Sequence, residues 1–430
     1  MNSVSFTEEK KGLKDILAFI RSELKPKGKA LTPFNMISAP IILLGAVLIV
    51  IRFTMGLGSV TNLSQDYPWG LWIAFDVLIG VAFAGGAYVL TFVYYILGAE
   101  KYHSIVRVTI LNGFLAYAFY SGALLLDLGR PWNALNFIIG NKFGVSSVLF
   151  MVAWHFFLYT VALLIEFSPI AAEWLGLKRA RKILGSLTLG AVIFGIMLST
   201  GHQAGVGGVF LLAKHNIHPL WYSDFIHVLF VVSSIFAGLS MVIFEGMISH
   251  RVFSNQMDHE HRSSNNDIVI GLGKVCAVVL FVYFFIKLLE FIHGKQWSLL
   301  NTPMGYWYLT EVIGFVLIPC GLFLSGTRQL NVTYIRAAAI LTMAGIFINR
   351  FNVCIIAYKW YLPLSERYFP SWMEVAVTLS IICAEIWVFR WIVNRMPVFR
   401  ESPEWAIEEK TQEKNITTRK EVPQWKVSAT

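Results

Sequence analysis

The sequence predicts an all-α polytopic membrane protein of about ten transmembrane helices, and three observations carry that prediction. Only 14% of the residues are charged while 56% are hydrophobic, whereas soluble domains carry roughly 25% charged residues. The mean hydropathy is +0.61. Apolar runs of about 20 residues, enough to cross a bilayer, recur almost without pause, and none alternates as a barrel strand would.

These runs place helices at about 36–57, 70–98, 104–126, 143–167, 182–201, 223–249, 267–293, 306–325, 331–352 and 371–397. Ahead of them, residues 1–35 are charged and amphipathic, with Phe6, Leu13, Ile16, Leu17, Ile20 and Leu24 at near-helical spacing. No short apolar core precedes a small-residue cleavage site, so this segment reads as a helix on the membrane surface or against a partner. Residues 36–398 form the membrane domain, and the polar stretch 399–430 is expected to be flexible. Glycine, serine and aromatic residues in the fourth to sixth helices suit close packing in lipid. No internal repeat stands out.

The net charge of +9 reports topology rather than nucleic-acid binding. Lys10, Lys11, Lys14, Arg21, Lys25, Lys27 and Lys29 precede the first helix, and Lys178, Arg179, Arg181 and Lys182 follow the fourth. The 58–69 connection has no basic residue, and 202–222 has only Lys214. Basic residues stay on the cytoplasmic side, so both termini are expected there. The 202–222 stretch then faces the other side, the periplasm in a bacterium. The 350–367 connection, with Arg350, Lys359 and Arg367, departs from this rule, and its charges are expected to serve another purpose. The 250–266 connection, with His259 and His261, reads as a solvated loop.

Cys276, Cys320, Cys354 and Cys383 are scattered and form no C-x-x-C pair, so this chain is expected to hold no iron–sulfur cluster. The stretch Gly201 to Tyr222, GHQAGVGGVFLLAKHNIHPLWY, is unusual for a connection between spans. It holds three histidines, four glycines and an apolar run, and it reads as the roof of a site.

Ionisable residues at membrane depth cost roughly 2.5–3.5 kcal/mol each on insertion scales and need a reason. An outer layer contains Asp76, Asp127, Arg130, His202, Gln203, Asp224, His227, Glu290, Glu311 and Arg350. An inner layer contains Glu166, Glu245 and Glu385, with His155 nearer the centre. Asp127 and Arg130, at i,i+3, either pair as a helix-end anchor or share a site. Lys287 and Glu290 have the same spacing and are read as neutralising each other. Asp76 and His202, on different helices at one depth, are expected to meet a ligand. Glu166 and Glu245 are either solvated helix ends or steps of a proton route. A membrane haem would need paired imidazoles at matching depth, and His215 with His218 supply only two of the four ligands of structural zinc. Neither group is expected, and no hydrolytic triad or phosphate loop is present.

The motifs PWGLWIAFDVLIGVAFAGG, GHQ, HPLWYS, VIFEG, NRFN and YFPSW, in this order, resemble the NrfD/PsrC family of quinone-interacting membrane subunits. The layout is most similar to the HybB-type membrane subunit of periplasmic [NiFe] hydrogenases. The resemblance covers roughly residues 36–398. It implies two four-helix bundles, helices two to five and six to nine, with flanking helices outside. It also implies electrons arriving from a periplasmic ferredoxin-like iron–sulfur subunit, fed by large and small hydrogenase subunits. They pass to menaquinone or another quinone in the bacterial inner membrane, with no haem, cluster or metal in this chain.

Carried over by position, His202 and Asp76 flank the quinone head group, with Gln203, Arg130, Trp221, Arg350 and His218 shaping the pocket or facing the partner. Glu166, Glu245, His155 and Asp127 would carry protons. Met151 stands where the resemblance leads one to expect an acid, which interrupts a continuous carboxylate chain. Relatives serve other electron donors, so the same subunit type in another oxidoreductase is an alternative. A secondary transporter is the alternative of a different class, with Gly85–Gly86 as its candidate helix break.

Overall fold

The structure, a computed structural model, describes residues 13–399 apart from 26, 28–30, 140–143, 145, 258–261 and 263. The tail 400–430, His259 and His261 lie outside the described residues. Among those described, ten helices are long and apolar enough to span a membrane. They are α1 Pro33–Met55, α2 Ile73–Ile96, α3 Glu100–Asp127, α4 Val148–Trp174, α5 Lys178–Leu211, α6 Ile226–Val252, α7 Asn265–His293, α8 Pro303–Arg328, α9 Val332–Ile356 and α10 Trp372–Val393.

Local chemistry sets several starts. Thr32 accepts from Asn35 N–H ahead of Pro33, Thr302 accepts from Gly305 N–H ahead of Pro303, and Ser371 and Glu374 form a capping box. Each satisfies donors that a helix start leaves open.

Helices α2–α5 close one four-helix bundle and α6–α9 a second, joined where α2 and α5 lie against α6. The most hydrophobic window of α2 is 78% buried and that of α6 67%, against 17% for α1 and 22% for α10. The bundles therefore share a central seam, while α1 and α10 pair with each other outside it. At the seam Gly86 meets Gly238 so closely that a Cβ on Gly238 would lie 2.0 Å from the Gly86 nitrogen, and Tyr88 bonds Ser234 at 2.8 Å. Gly85–Gly86 is thus a packing notch: α2 runs helically through both residues, which removes the transporter-like break. On the outside, Gly45 receives Ser380, and Trp387 donates to Ser38 at 2.8 Å.

Two helices outrun their expected ends. Helix α4 continues to Trp174 despite Pro169. Helix α5 continues to Leu211, so the first half of the Gly201 to Tyr222 stretch is helical and His202 lies within the span. The glycines serve contact rather than looping. Gly201 abuts the His155 ring, and a Cβ on Gly207 would lie 2.7 Å from the His227 Cα on α6.

Four segments are π-helical: Ile73–Gly80, Phe92–Ile96, Thr310–Leu317 and Asn352–Ile356. Each acts as an inserted residue that turns the following side chains around the axis. The short helix Leu13–Glu23 sits beside the end of α10, where Arg395 donates to the Glu23 and Lys25 carbonyls. That end is called the floor here, and the opposite end, where the even-numbered helices begin, the roof.

Candidate functional site

The roof is one zipped layer. His218 N–H donates to Ala357 O at 2.9 Å and Lys359 N–H to Asn216 O at 2.6 Å, around an isolated bridge between Ile217 and Tyr358. Trp360 packs on the His218 ring at 4.7 Å. The His218 Nδ1 accepts from Leu220 N–H, and burial lowers the pKa of this imidazole, so it is held neutral. The departing charges of 350–367 are explained. Lys359 pairs with Asp66, Arg367 holds the Trp360 and Leu362 carbonyls, and Arg350 is buried.

Beneath the roof the outer layer divides into three groups. In the first, Asp76 lies in the π segment of α2, 2% exposed, and makes no hydrogen bond or ion pair among the described residues. Gly80, one turn on, admits the Tyr120 ring. Asp127 and Glu385 lie within electrostatic reach of Asp76. The charged neighbour of Asp127 is Arg52, whose guanidinium also donates to the Leu126 and Leu128 carbonyls. Arg130 is exposed on the roof and forms no ion pair with Asp127, so the i,i+3 pairing is corrected. The α-helical end turns to an extended backbone at Leu128, which separates the two side chains.

The second group is centred on His202 in the first bundle. It is 0% exposed, both ring nitrogens lack a partner, and Phe156 and Tyr117 pack on it at 5.2 and 6.0 Å. Gln203 Nε2 is also unpartnered, and His155 on α4 bonds the Met151 carbonyl through Nδ1. Toward the floor, the Tyr117 and Tyr159 hydroxyls approach Ser199 without a well-formed hydrogen bond. Tyr159 and Glu166 then face each other across Gly195, and one Glu166 oxygen is unpartnered. Unsatisfied groups thus descend through the bundle. Among the described residues no hydrogen bond or ion pair joins Asp76 to His202.

The third group lies in the second bundle. Glu311 accepts from Trp221 Nε1 at 2.7 Å, from Asn349 Nδ2 at 2.7 Å and from Asn352 Nδ2. Arg350 donates to Asn349 at 2.8 Å and to Ser233 at 2.7 Å, and its guanidinium stacks 3.5 Å from the Phe230 ring centroid. Trp221 and Arg350, expected beside Asp76 and His202, belong instead to this network. Lys287 and Glu290 do not pair: Glu290 takes the Ser223 hydroxyl. Glu245 bonds Ser249 near the floor, beside a cleft between α3, α6 and α7.

Sequence reasoning counted Glu311 in the outer layer but missed its position as a hub. A repeated spacing marks it: Pro68, Gly70, Trp72 and Asp76 recur as Pro303, Gly305, Trp307 and Glu311. This corrects the expectation that no internal repeat is present. Among the described residues no group of three or more histidine, cysteine or acidic side chains converges as a metal site.

A family model described as polysulphide reductase, NrfD, matches residues 59–360. A protein of Nitratidesulfovibrio vulgaris is 44% identical over 375 residues, covering 87% of this chain and 96% of the relative. The probable Ni/Fe-hydrogenase 2 b-type cytochrome subunit of Escherichia coli is 28% identical, covering 86% of this chain and 93% of its own length. The integral membrane subunit of menaquinone reductase from N. vulgaris is 26% identical, covering 81% and 87%.

Proposed function

The chain belongs to the NrfD family, and from that membership we propose that it is the quinone-binding membrane subunit of a respiratory redox complex. In this reading it sits in a bacterial inner membrane with both termini and the segments 1–35 and 399–430 cytoplasmic. The roof is periplasmic and meets a ferredoxin-like iron–sulfur subunit fed by a [NiFe] hydrogenase pair. Electrons pass to menaquinone. The name of the E. coli relative supports a hydrogenase partner. The name of the menaquinone reductase subunit supports the quinone, and it keeps open a different donor for the same subunit type.

The observation that carries the reading is the set of buried, unpartnered polar groups under the roof: Asp76, both nitrogens of His202, and Gln203 Nε2. An unsatisfied polar group in a membrane interior costs several kcal/mol, so these groups are arranged for something that is exchanged. A quinone suits them, because its carbonyl oxygens accept hydrogen bonds and take up two protons with two electrons. His202 would donate to a carbonyl and pass a proton, which a neutral imidazole does well. Asp76, with Asp127 beside it, would resupply protons from the α2–α3 side.

The descending groups Tyr117, Ser199, Tyr159 and Glu166, with His155 alongside, supply a proton route toward the floor, and Glu245 reaches the floor independently. Because Met151 is apolar, this route runs through hydroxyl groups in mid-membrane. Arg130, exposed on the roof, would face the partner. The reading includes no haem: the rings packed on His202 leave no porphyrin-sized space beside it.

The test is donor-dependent menaquinone reduction by the purified complex carrying His202→Ala. The complex is expected to assemble, with quinone reduction lost. Unchanged turnover would remove His202 from the mechanism. A b-haem spectrum in the purified chain would overturn the cofactor assignment.

A further inference from the structure

Helices α1–α2 and α7–α8 carry one pattern twice. The residues Pro68, Gly70, Trp72, Asp76 and Val77 recur as Pro303, Gly305, Trp307, Glu311 and Val312 with identical spacing. Arg52 stands as far before Asp76 as Lys287 stands before Glu311. The backbone repeats too, since each acid lies in a π segment near the roof. Each tryptophan donates sideways from the same place, Trp72 to the Glu374 carbonyl and Trp307 to the Asn352 side chain.

The two copies divide their polar groups in opposite ways. In the first, the cation is committed, since Arg52 holds two backbone carbonyls, and the acid Asp76 is free. In the second, the acid is committed, since Glu311 accepts three donors, and the cation is free. Lys287 is 7% exposed and makes no hydrogen bond or ion pair among the described residues. Its ammonium lies 5.4 Å from the Tyr308 ring centroid. In front of it opens a cleft of about 260 Å³, walled by Trp221, Tyr308 and Phe291, with Ser223 and Glu290 also lining it.

A buried ammonium at membrane depth is costly unless an acceptor meets it, and the cleft is where that acceptor would sit. It is several times the roughly 30 Å³ share of one water. Trp221 and Tyr308 stand at 88° with centroids 5.4 Å apart, so a flat ring can lie against one face while meeting the edge of the other. The Glu311 network fixes the Trp221 wall. Lys287 and Glu290 together leave the cleft formally neutral, which favours an uncharged carbonyl oxygen over a phosphate.

We propose that this cleft is a second quinone head-group site, on the second bundle, with Lys287 donating to a ring carbonyl and Trp221 and Tyr308 flanking the ring. The proposal rests on the quinone-binding reading and extends it from the first copy of the pattern to the second.

The test is equilibrium dialysis of the purified full chain in detergent with menadione, a naphthoquinone without a tail. Wild type is expected to bind two equivalents, Lys287→Met one, and Lys287→Arg two, since arginine restores the donor. The equivalent remaining in Lys287→Met is expected to disappear when His202→Ala is added. One equivalent in wild type, kept by Lys287→Met and lost by His202→Ala, would overturn the second site and leave the first. One equivalent lost by Lys287→Met and kept by His202→Ala would support the cleft and remove the head group from His202. No binding by wild type would overturn both. Phosphatidylglycerol co-purifying with wild type but not with Lys287→Met, with no menadione equivalent assigned to Lys287, would give the cleft to a lipid phosphate and overturn the proposal.

Discussion

Two conservative amide substitutions, Glu311→Gln and Asp76→Asn, should affect stability in opposite ways although the residues occupy matching positions in the duplicated pattern. Glu311 receives the Trp221 indole and the Asn352 amide on one oxygen and the Asn349 amide on the other. A glutamine must turn its NH₂ toward one of these donors. That leaves at least one buried donor unmatched, at about 1–3 kcal/mol, and weakens the remaining charge-assisted bonds by about 1 kcal/mol each. Arg350, buried on the same network, also loses a compensating charge. The sum is about 3–5 kcal/mol, or about 6–10 °C in apparent Tm at ~2 °C per kcal/mol. Asp76 has no hydrogen bond in the protein to lose, and Asp127 and Glu385 stand near it. Its amide variant should therefore match wild type within about 1 kcal/mol or exceed it, while quinone reduction falls. Thermal unfolding in detergent, paired with quinone reduction, checks both. Equal destabilisation by the two variants would refute the division into a saturated acid and an open one.

Gly238→Ala places a methyl against the Gly86 backbone and should abolish recovery of folded protein in size-exclusion chromatography, whereas Gly246→Ala, with nothing within 4 Å of its Cβ, should behave as wild type. His218 is held neutral with a lowered pKa, so its contribution is present above the unfolded value of about 6.5 and is lost as pH falls below it. Amide exchange at 357–359 should quicken between pH 7 and 5 in wild type, and this dependence should flatten in His218→Asn. Tyr159→Phe should lower kcat for quinone reduction by on the order of a hundredfold with KM unchanged; a change in KM alone would take Tyr159 out of the proton route.

Ten spans were legible because a helix crossing lipid must be long and apolar, and neither property depends on its neighbours. The two bundles came from the resemblance, and packing around the Gly86–Gly238 notch agrees with it. The end of α5 was not legible. Four closely spaced glycines read as a loop in isolation, yet Gly201 and Gly207 face His155 and α6 inside a continuous helix. Depth in the membrane could be read by counting along each run, which placed Asp76, His202 and Arg350 in one layer. Direction around the helix axis could not, because Asp76, Glu311 and the residues after Arg350 lie in or beside π segments that break the ordinary period. One layer therefore resolved into three groups, with Trp221 and Arg350 in a different bundle from His202.

The π segment around Asp76 also bears on how such a chain tolerates length changes. A π turn is an α-helix that has absorbed one extra residue. Deleting one residue between Val77 and Gly80 would restore the regular ladder and leave a helix still long enough to cross the bilayer. It would also swing Asp76 by about 100° relative to the floor half of α2, since an α-helix has 3.6 residues per turn. The span would survive and the carboxylate would point elsewhere. In this protein a single-residue deletion there would act as an aiming error, leaving insertion intact while moving the acid away from Asp127.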